Sequence, residues 1–428
     1  MQMILKNVRC FHSHAPIALR PLTILVGENS SGKTTFLSMI SHVCDNEFPF
    51  FRPTFSDPPF DLGSFDSIAT FKGGRGGRAE TFSIGYDLNS STDVSRRVVA
   101  TYRSWKGQPQ LAELQASGKT GELSLEMSDD IFHSKAFVTL KTQGKTEKNE
   151  IELDLRQFAT PDYPVRFILR AFLMEPPKQT DSEASFISAL DHIKLLNLLK
   201  GTGRTALAMA PVRSRPKRTF DETSGDFDPE GQHIFVLLAR LWQEESAERD
   251  KVFDSINRFG ESSSLYNRIN MKLLGKKPSD PFQVLVRLGG PPANLLDVGY
   301  GVSQALPVIV QSILQADNKL LLLQQPEVHL HPRAQAALGS FFTSLVATQQ
   351  KELVIETHSD YLLDRIRIDV AQGVIPASSV QILFFDRRGI RTLVHPIELD
   401  ERGNVVRPPK SYRQFFLEEE LNLFKRAK

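Results

Sequence analysis

The eight residues Gly27-Glu28-Asn29-Ser30-Ser31-Gly32-Lys33-Thr34 place glycine first and sixth, lysine seventh and a hydroxyl eighth. Those types at that spacing suit the holding of a polyphosphate. Gly27 and Gly32 let the backbone N–H groups of Asn29, Ser30 and Ser31 approach phosphate oxygens. Lys33 reaches the β and γ oxygens, and the Thr34 hydroxyl, followed by Thr35, can ligate Mg²⁺ at a helix start. The apolar run Leu22–Val26 before the loop and the helically spaced Phe36, Leu37, Met39 and Ile40 after it supply the strand–loop–helix context that the pattern requires. ATP with Mg²⁺ is the implied ligand.

Three further groups have the composition of a phosphate-handling centre. The buried run Leu320–Leu323 leads into Gln324-Gln325-Pro326-Glu327-Val328-His329-Leu330-His331-Pro332. A carboxylate at such a strand end orders Mg²⁺ and a neighbour activates water. Glutamine fills the same space but carries no charge and takes no proton. Gln324 therefore occupies the metal-side and catalytic position in a weakened form, and Glu327 is the next carboxylate that could help position water. The segment Asp297-Val298-Gly299-Tyr300-Gly301-Val302-Ser303-Gln304 opens an apolar helix and forms a glycine-flanked anion site, with Gly301, Ser303 and Gln304 as the phosphate-facing candidates. In Glu356-Thr357-His358-Ser359-Asp360, His358 follows a strand and is placed to sense a γ-phosphate. His329 and His331 alternate and could share a metal, but no third ligand accompanies them. Arg213-Ser214-Arg215-Pro216-Lys217-Arg218 reads either as a solvated basic loop or as a nucleic-acid contact through Arg213, Arg215, Lys217 and Arg218.

The elements that must position these groups come from both ends of the chain. A short meander, Met3–Phe11 and Pro16–Leu19, precedes the phosphate loop, and the Pro-, Phe- and Asp-rich stretch Phe48–Phe65 and the glycine-basic stretch Lys72–Arg78 read as loops outside the core. Short alternating runs at Thr81–Leu88, Val98–Tyr102, Glu122–Met127, Ala136–Lys141 and Glu150–Leu155 predict antiparallel sheet. Helical spacing follows at Ser185–Leu199, Gln232–Asn257 and Ser264–Leu274. Strand and helix then alternate from Phe282 to Val370, and a hairpin spans Gln381–His395. The expected architecture is α/β, with a split ATPase core at 1–70 and 281–428, a β-rich then helical insertion at 71–200 and a helical region at 201–280. The balance of 52 basic against 50 acidic residues, net +2, requires no nucleic-acid or membrane partner. Two cysteines without a CxxC pattern, and no apolar run long enough to span a bilayer, fit a cytoplasmic protein.

Taken together, the motifs resemble those of the ABC/SMC-like P-loop ATPases, and the Gln324–Pro332 run is similar to the Walker B segment "EQPE-hydrophobic-HLHP" of the AAA proteins related to the overcoming-lysogenisation-defect (OLD) family. That family has Glu where this chain has Gln324, which leaves either a natural degenerate site or an introduced Glu-to-Gln trap. The resemblance covers roughly residues 1–70 and 205–428. It implies a split ABC-type core, a signature serine at Ser303 that meets the γ-phosphate of the opposite subunit, and a head-to-tail homodimer around two nucleotides. Many members carry a Toprim nuclease. Here about seventy residues follow His358, without a paired-aspartate motif, so a separate effector, a nuclease or a toxin, is expected. Stand-alone ATPases of this kind resemble antiphage-defence subunits of the Septu and PARIS types. An SMC-like DNA-repair ATPase is the alternative, disfavoured by the lack of long heptad arms. A transport ATPase fits less well, since the signature departs from LSGGQ and the insertion is large.

Overall fold

Apolar alternation decides most of the strands in the computed structural model, which describes residues 1–45, 48–49, 55–74, 77–88, 95–119, 121–127, 201–221, 225–244, 246–277, 280–316, 319–412 and, as backbone, 133–142 and 145–154. The chain divides into two units.

The first unit comprises Met1–Leu19, Ser38–Thr205 and Arg387–Val394. Its strands are β1 (Gln2–Val8), β2 (Phe11–Ser13), β3 (Ile17–Ala18), β5 (Thr81–Leu88), β6 (Arg96–Trp105), β7 (Gln108–Gly118), β8 (Gly121–Met127), β9 (His133–Thr142) and β10 (Lys145–Asp154). They form one antiparallel sheet in the order β10-β9-β8-β7-β6-β5-β1-β2, with β3 on β1. The division expected at residue 70 does not coincide with this unit. Met3 pairs with Tyr86 and Leu5 with Ile84, so the N-terminal meander and the β-rich stretch share a sheet. β7 has no clear alternation because its register shifts opposite Thr101 and Tyr102. Leu111 and Leu114 are both buried although three positions apart, the mark of a bulge. The described part of the Phe48–Phe65 stretch is not peripheral as its prolines suggest. Phe48, Phe55, Phe60 and Phe65 are buried, and Phe55 meets Phe82 and Tyr102 edge-on at 5.5 and 5.4 Å. The short helix α2 (Phe65–Ile68) belongs to this packing.

The second unit comprises Arg20–Leu37, Ala206–Asp386 and His395–Lys428. Its main sheet runs β11 (Thr205–Met209), β15 (Lys319–Gln324), β16 (Glu352–Glu356), β4 (Leu22–Gly27), β17 (Val380–Arg388), β18 (Arg391–Leu399), β19 (Val405–Val406), in that order. The central strands β15, β16, β4 and β17 are parallel. Leu321, Leu323, Leu353, Ile355, Leu22, Ile24 and Ile382 are all fully buried there, as expected of strands covered on both faces. Helix α1 (Lys33–Val43) leaves β4, α5 (Tyr300–Leu314) precedes β15, α6 (Pro332–Gln349) joins β15 to β16, and α7 (Asp360–Ala371) joins β16 to β17.

The helical pattern Gln232–Asn257 resolves into α3 (His233–Gln243) and α4 (Ala247–Ser263), where the Ser246 side chain caps α4 by accepting from the Arg249 amide at 3.1 Å. Ser264–Leu274 is not helical. Residues Arg268–Leu273 form β12, which pairs with β13 (Phe282–Arg287), and β14 (Ala293–Asn294) completes that sheet. Ile269 and Met271 are buried on alternate positions while Ser264 takes a left-handed φ of 58° that ends α4, so period two wins over the weak helical spacing. The helical reading at Ser185–Leu199 lies outside the described residues. No helix among the described residues is long and apolar enough to cross a membrane.

Candidate functional site

The phosphate loop sits where a buried parallel strand meets a helix. Gly27 ends β4 beside Phe385, with φ 144°, and a Cβ there would lie 2.5 Å from the Phe385 carbonyl oxygen. Only glycine allows that approach. Ser30 and Gly32 also take positive φ, 59° and 99°, which turns successive amides of the loop inward. Phe36 anchors the first turns of α1 by an edge-on contact with Phe385 at 5.6 Å.

Lys33 folds back over the loop and donates to the carbonyl oxygens of Gly27 at 2.9 Å and Glu28 at 2.7 Å. Burial pulls its ammonium below the ordinary lysine value, with Glu356 and Glu28 opposing that shift. A polyphosphate arriving in the loop would supply the missing negative charge. The Thr34 hydroxyl lies against the Glu356 carboxylate, at 2.9 Å from Oε2 and 3.1 Å from Oε1. Burial raises the Glu356 carboxyl above the usual range, while Thr34 and the Lys33 charge draw it back.

This pairing places a carboxylate beside Thr34. Sequence reasoning gave the position to Gln324 with Thr34. In the sheet, however, β16 lies between β15 and β4, and Gln324 is in register with Glu356. The Gln324 amide turns the other way and donates to the Met209 carbonyl at 3.4 Å. Glu356 was overlooked, although its signal was present in the sequence: an acid directly after the apolar strand Glu352–Ile355. Thr34 and Glu356 fit Mg²⁺, which takes a hydroxyl and one or two carboxylates and fills its remaining octahedral positions with phosphate oxygens and water. The ion would supply charge neutralisation between the phosphates.

Glu327, His358 and Arg213 are brought together at the strand ends. Glu327 is buried, and one of its oxygens accepts from the His358 amide at 2.8 Å. Burial raises its carboxyl above the ordinary value, against hydrogen bonds from the His358 amide and the charge of Arg213. The His358 side chain is exposed, and desolvation together with the Lys33 charge lowers its pKa, so it is neutral at physiological pH. Arg213 is only 1% exposed and lies beneath this turn. Its guanidinium donates to the Gln324 carbonyl at 3.2 Å and the Gln325 carbonyl at 3.4 Å, and its own amide donates to the Gln304 side chain at 3.3 Å. Gln325 holds a left-handed φ of 43°, fixed on its other side by its amide bond to the Glu356 carbonyl at 2.8 Å. Burial lowers the Arg213 pKa to about 10, so it stays charged, with Glu327 supporting that charge.

Two of the candidate contact residues are buried in this chain. Arg213 does not reach nucleic acid, because it is enclosed under the Gln324–Gln325 turn. Arg218 is held by Asp297 at 2.6 and 2.8 Å, and Arg215 and Lys217 are exposed. Ser303 does not face outward either. It is 1% exposed and its hydroxyl donates to the Tyr300 carbonyl at 2.8 Å, while Gln304 is equally buried. The exposed start of α5 is Gly299 and Tyr300, whose ring meets His329 edge-on at 5.0 Å. Gly301 is required by packing, since a Cβ would lie 2.9 Å from the His329 carbonyl oxygen. His329 and His331 gather no third ligand, and no cluster of three metal-binding side chains occurs among the described residues.

A family model described as "AAA ATPase domain" matches residues 1–162 and 179–363. The chain belongs to that AAA ATPase domain family. The matched stretches contain the phosphate loop, the Gln324–Pro332 turn and His358. No curated protein matches the sequence significantly. Among solved structures, the chain is similar to an SMC head bound to the C-terminal winged-helix domain of ScpA, at 13% identity, covering 94% of this chain and 98% of that one with a TM-score of 0.42. It is also similar to the SMC head domain of Thermotoga maritima, at 12% identity over 93% and 98% with a TM-score of 0.37. An SMC head from Pyrococcus furiosus bound to the C-terminal domain of ScpA gives 13% identity over 100% and 98%, with a TM-score of 0.41.

Proposed function

We propose that this AAA ATPase-family chain is a cytoplasmic ATP-binding switch that closes into a head-to-tail homodimer around Mg·ATP and so controls a separate effector, a nuclease or a toxin, in bacterial antiphage defence. The observation that carries the nucleotide part is the arrangement of Lys33 and Thr34 with Glu356: a cation in the loop and a hydroxyl–carboxylate pair beside it. Lys33 releases the Gly27 and Glu28 carbonyls and neutralises the β and γ oxygens. Thr34 and Glu356 would hold the ion. His358, neutral and exposed, donates its ring N–H to the γ-phosphate, and Glu327 positions it through the backbone. With glutamine at 324 and 325, proton abstraction from water is weak, so slow hydrolysis and a long-lived ATP state follow. The dimer and its effector rest on the sequence resemblance to OLD-related ATPases, and the exposed Gly299–Tyr300 end of α5 supports a surface that meets the other subunit's phosphates.

The test is nucleotide-dependent mass in light scattering. Mg·ATP should double the mass of the wild-type chain. Lys33→Ala should bind ATP at least about tenfold more weakly, because charge-assisted bonds to phosphate are lost, and stay monomeric. Tyr300→Glu should bind ATP and fail to dimerise. A monomer at saturating ATP, or a dimer unaffected by Tyr300→Glu, removes the sandwich reading.

A further inference from the structure

Away from the phosphate loop, α4, α6 and α7 enclose a groove of about 680 Å³. Three arginines line it, one from each helix: Arg258, Arg333 and Arg365. No carboxylate lines the groove, and none of the three forms an ion pair among the described residues. Arg258 reaches the Asp254 carbonyl at 3.3 Å and the Ser255 hydroxyl at 3.5 Å, both on its own helix, and Arg365 the Ser340 hydroxyl at 3.4 Å. Two acids of the neighbouring helix are committed elsewhere. Asp369 is buried behind Ser340 and accepts from Thr343 and Ser340, and Asp364 pairs with Arg367. Asp254 and Glu261 are exposed on α4 and are not among the lining residues.

Hydroxyls recur along the floor. Ser340 and Ser344 lie one turn apart on α6, a spacing of about 6 Å along the axis, and the half-buried Phe341 offers an aromatic surface beside them, held edge-on against Phe259 at 5.5 Å. Unpaired arginines with serine hydroxyls are the groups that contact phosphodiester oxygens. A positive channel containing an aromatic ring is the arrangement that binds single strands through backbone charge and base stacking.

We infer that the α4–α6–α7 groove binds the backbone of a single-stranded nucleic acid. Arg258, Arg333 and Arg365 contact successive phosphates, and Phe341 stacks a base. This site is independent of the Arg213–Arg218 cluster and of the nucleotide site.

The experiment is fluorescence anisotropy of a labelled oligothymidylate of about twenty nucleotides, titrated with the full chain over a range of salt concentrations. The wild type should bind at low salt. The double variant Arg258→Glu/Arg333→Glu alters two exposed side chains, so it should fold normally, which thermal melting checks. It should bind at least about tenfold more weakly and show a salt slope smaller by about 1.4, from two lost phosphate contacts at about 0.7 each, while ATP affinity is unchanged. Equal binding by wild type and double variant overturns the inference. So does absence of wild-type binding at low salt, displacement of the probe by duplex as readily as by single strand, or stronger displacement by an oligoglutamate peptide.

Discussion

The Thr34 hydroxyl donates to the Glu356 carboxylate across the junction of α1 and β16, at 2.9 Å from the nearer oxygen. The acid beside the phosphate loop thus comes from the strand next to β4, not from the strand that carries Gln324. Glu356→Gln keeps the volume and removes the charge. ATP binding measured by calorimetry should weaken by about tenfold or more with Mg²⁺ present, the scale seen when a metal site loses a supporting group. Binding in EDTA should change little. Equal losses in both conditions would assign Glu356 to loop structure instead of the ion.

Part of this site was readable before any coordinates. Gly27 to Thr34 announce themselves because each position has a separate steric or charge requirement, and the Leu22–Val26 strand before them is apolar on both faces. Glu356 was hidden because strand order is not local: only the insertion of β16 between β15 and β4 brings it to Thr34. Arg213 was misread for the same reason. Among Arg215, Lys217 and Arg218 it looks like one more surface cation, yet it alone is buried. Residue type and motif position do not reveal that the Ser303 hydroxyl is buried and bonded to the Tyr300 carbonyl of its own helix. Phe55 and its neighbours were lost to the opposite habit, in which Pro and Asp outweigh aromatic content.

Arg213 ties the Gln324–Gln325 turn to α5 through Gln304 and sits beside Glu327. Arg213→Met removes the guanidinium from the Gln324 and Gln325 carbonyls, of which Gln325 keeps the Val328 amide at 3.2 Å, and leaves Glu327 without its cation. The expected loss is about 2–4 kcal/mol in chemical denaturation, with Arg213→Lys intermediate because it keeps charge but not the fork. A change below about 0.5 kcal/mol, the range of an ordinary surface substitution, would show that the guanidinium does not hold this turn.

His42 gives a pH dependence with a definite sign. Burial lowers its pKa from 6.5 to about 4, and its ring lies edge-on to Phe55 at 4.5 Å. Above 6.5 neither folded nor unfolded chain protonates it. Between 6.5 and about 4 the unfolded chain binds a proton that the folded chain refuses, so stability falls as pH falls. The full effect approaches about 3 kcal/mol below the lower value. The melting temperature of wild type should therefore fall relative to that of His42→Leu as the pH drops from 8 to 4.5, because only the wild type loses this increment. A constant separation from pH 8 to pH 4.5 would mean that His42 is solvated in the native state.

Gln324 lies at the end of β15, 5% exposed, beside Glu356 in the adjoining strand. Gln324→Glu introduces a second carboxylate there without a change of volume. A carboxylate cannot donate to the Met209 carbonyl that holds the Gln324 amide, so with Mg²⁺ and ATP bound it should turn to the metal side of the site, and Mg²⁺-dependent phosphate release should rise well above the wild-type background. Recovery of one missing electrostatic group corresponds to about a hundredfold in turnover. Without Mg²⁺ the same charge is buried close to Glu356 and Glu327, whose carboxyls are already raised by desolvation, so the apo variant should be less stable than wild type. Added Mg·ATP should then raise the melting temperature of the variant more than that of the wild type. These two readouts separate the possibilities. A larger Mg·ATP stabilisation with phosphate release still at background would show that charge at 324 serves the ion alone and that Gln325, which cannot take a proton, is what stops hydrolysis; the double variant Gln324→Glu/Gln325→Glu should then turn over. If neither variant gains turnover or Mg²⁺-dependent stabilisation, the chain holds ATP as a signal and the trapped-enzyme reading is wrong.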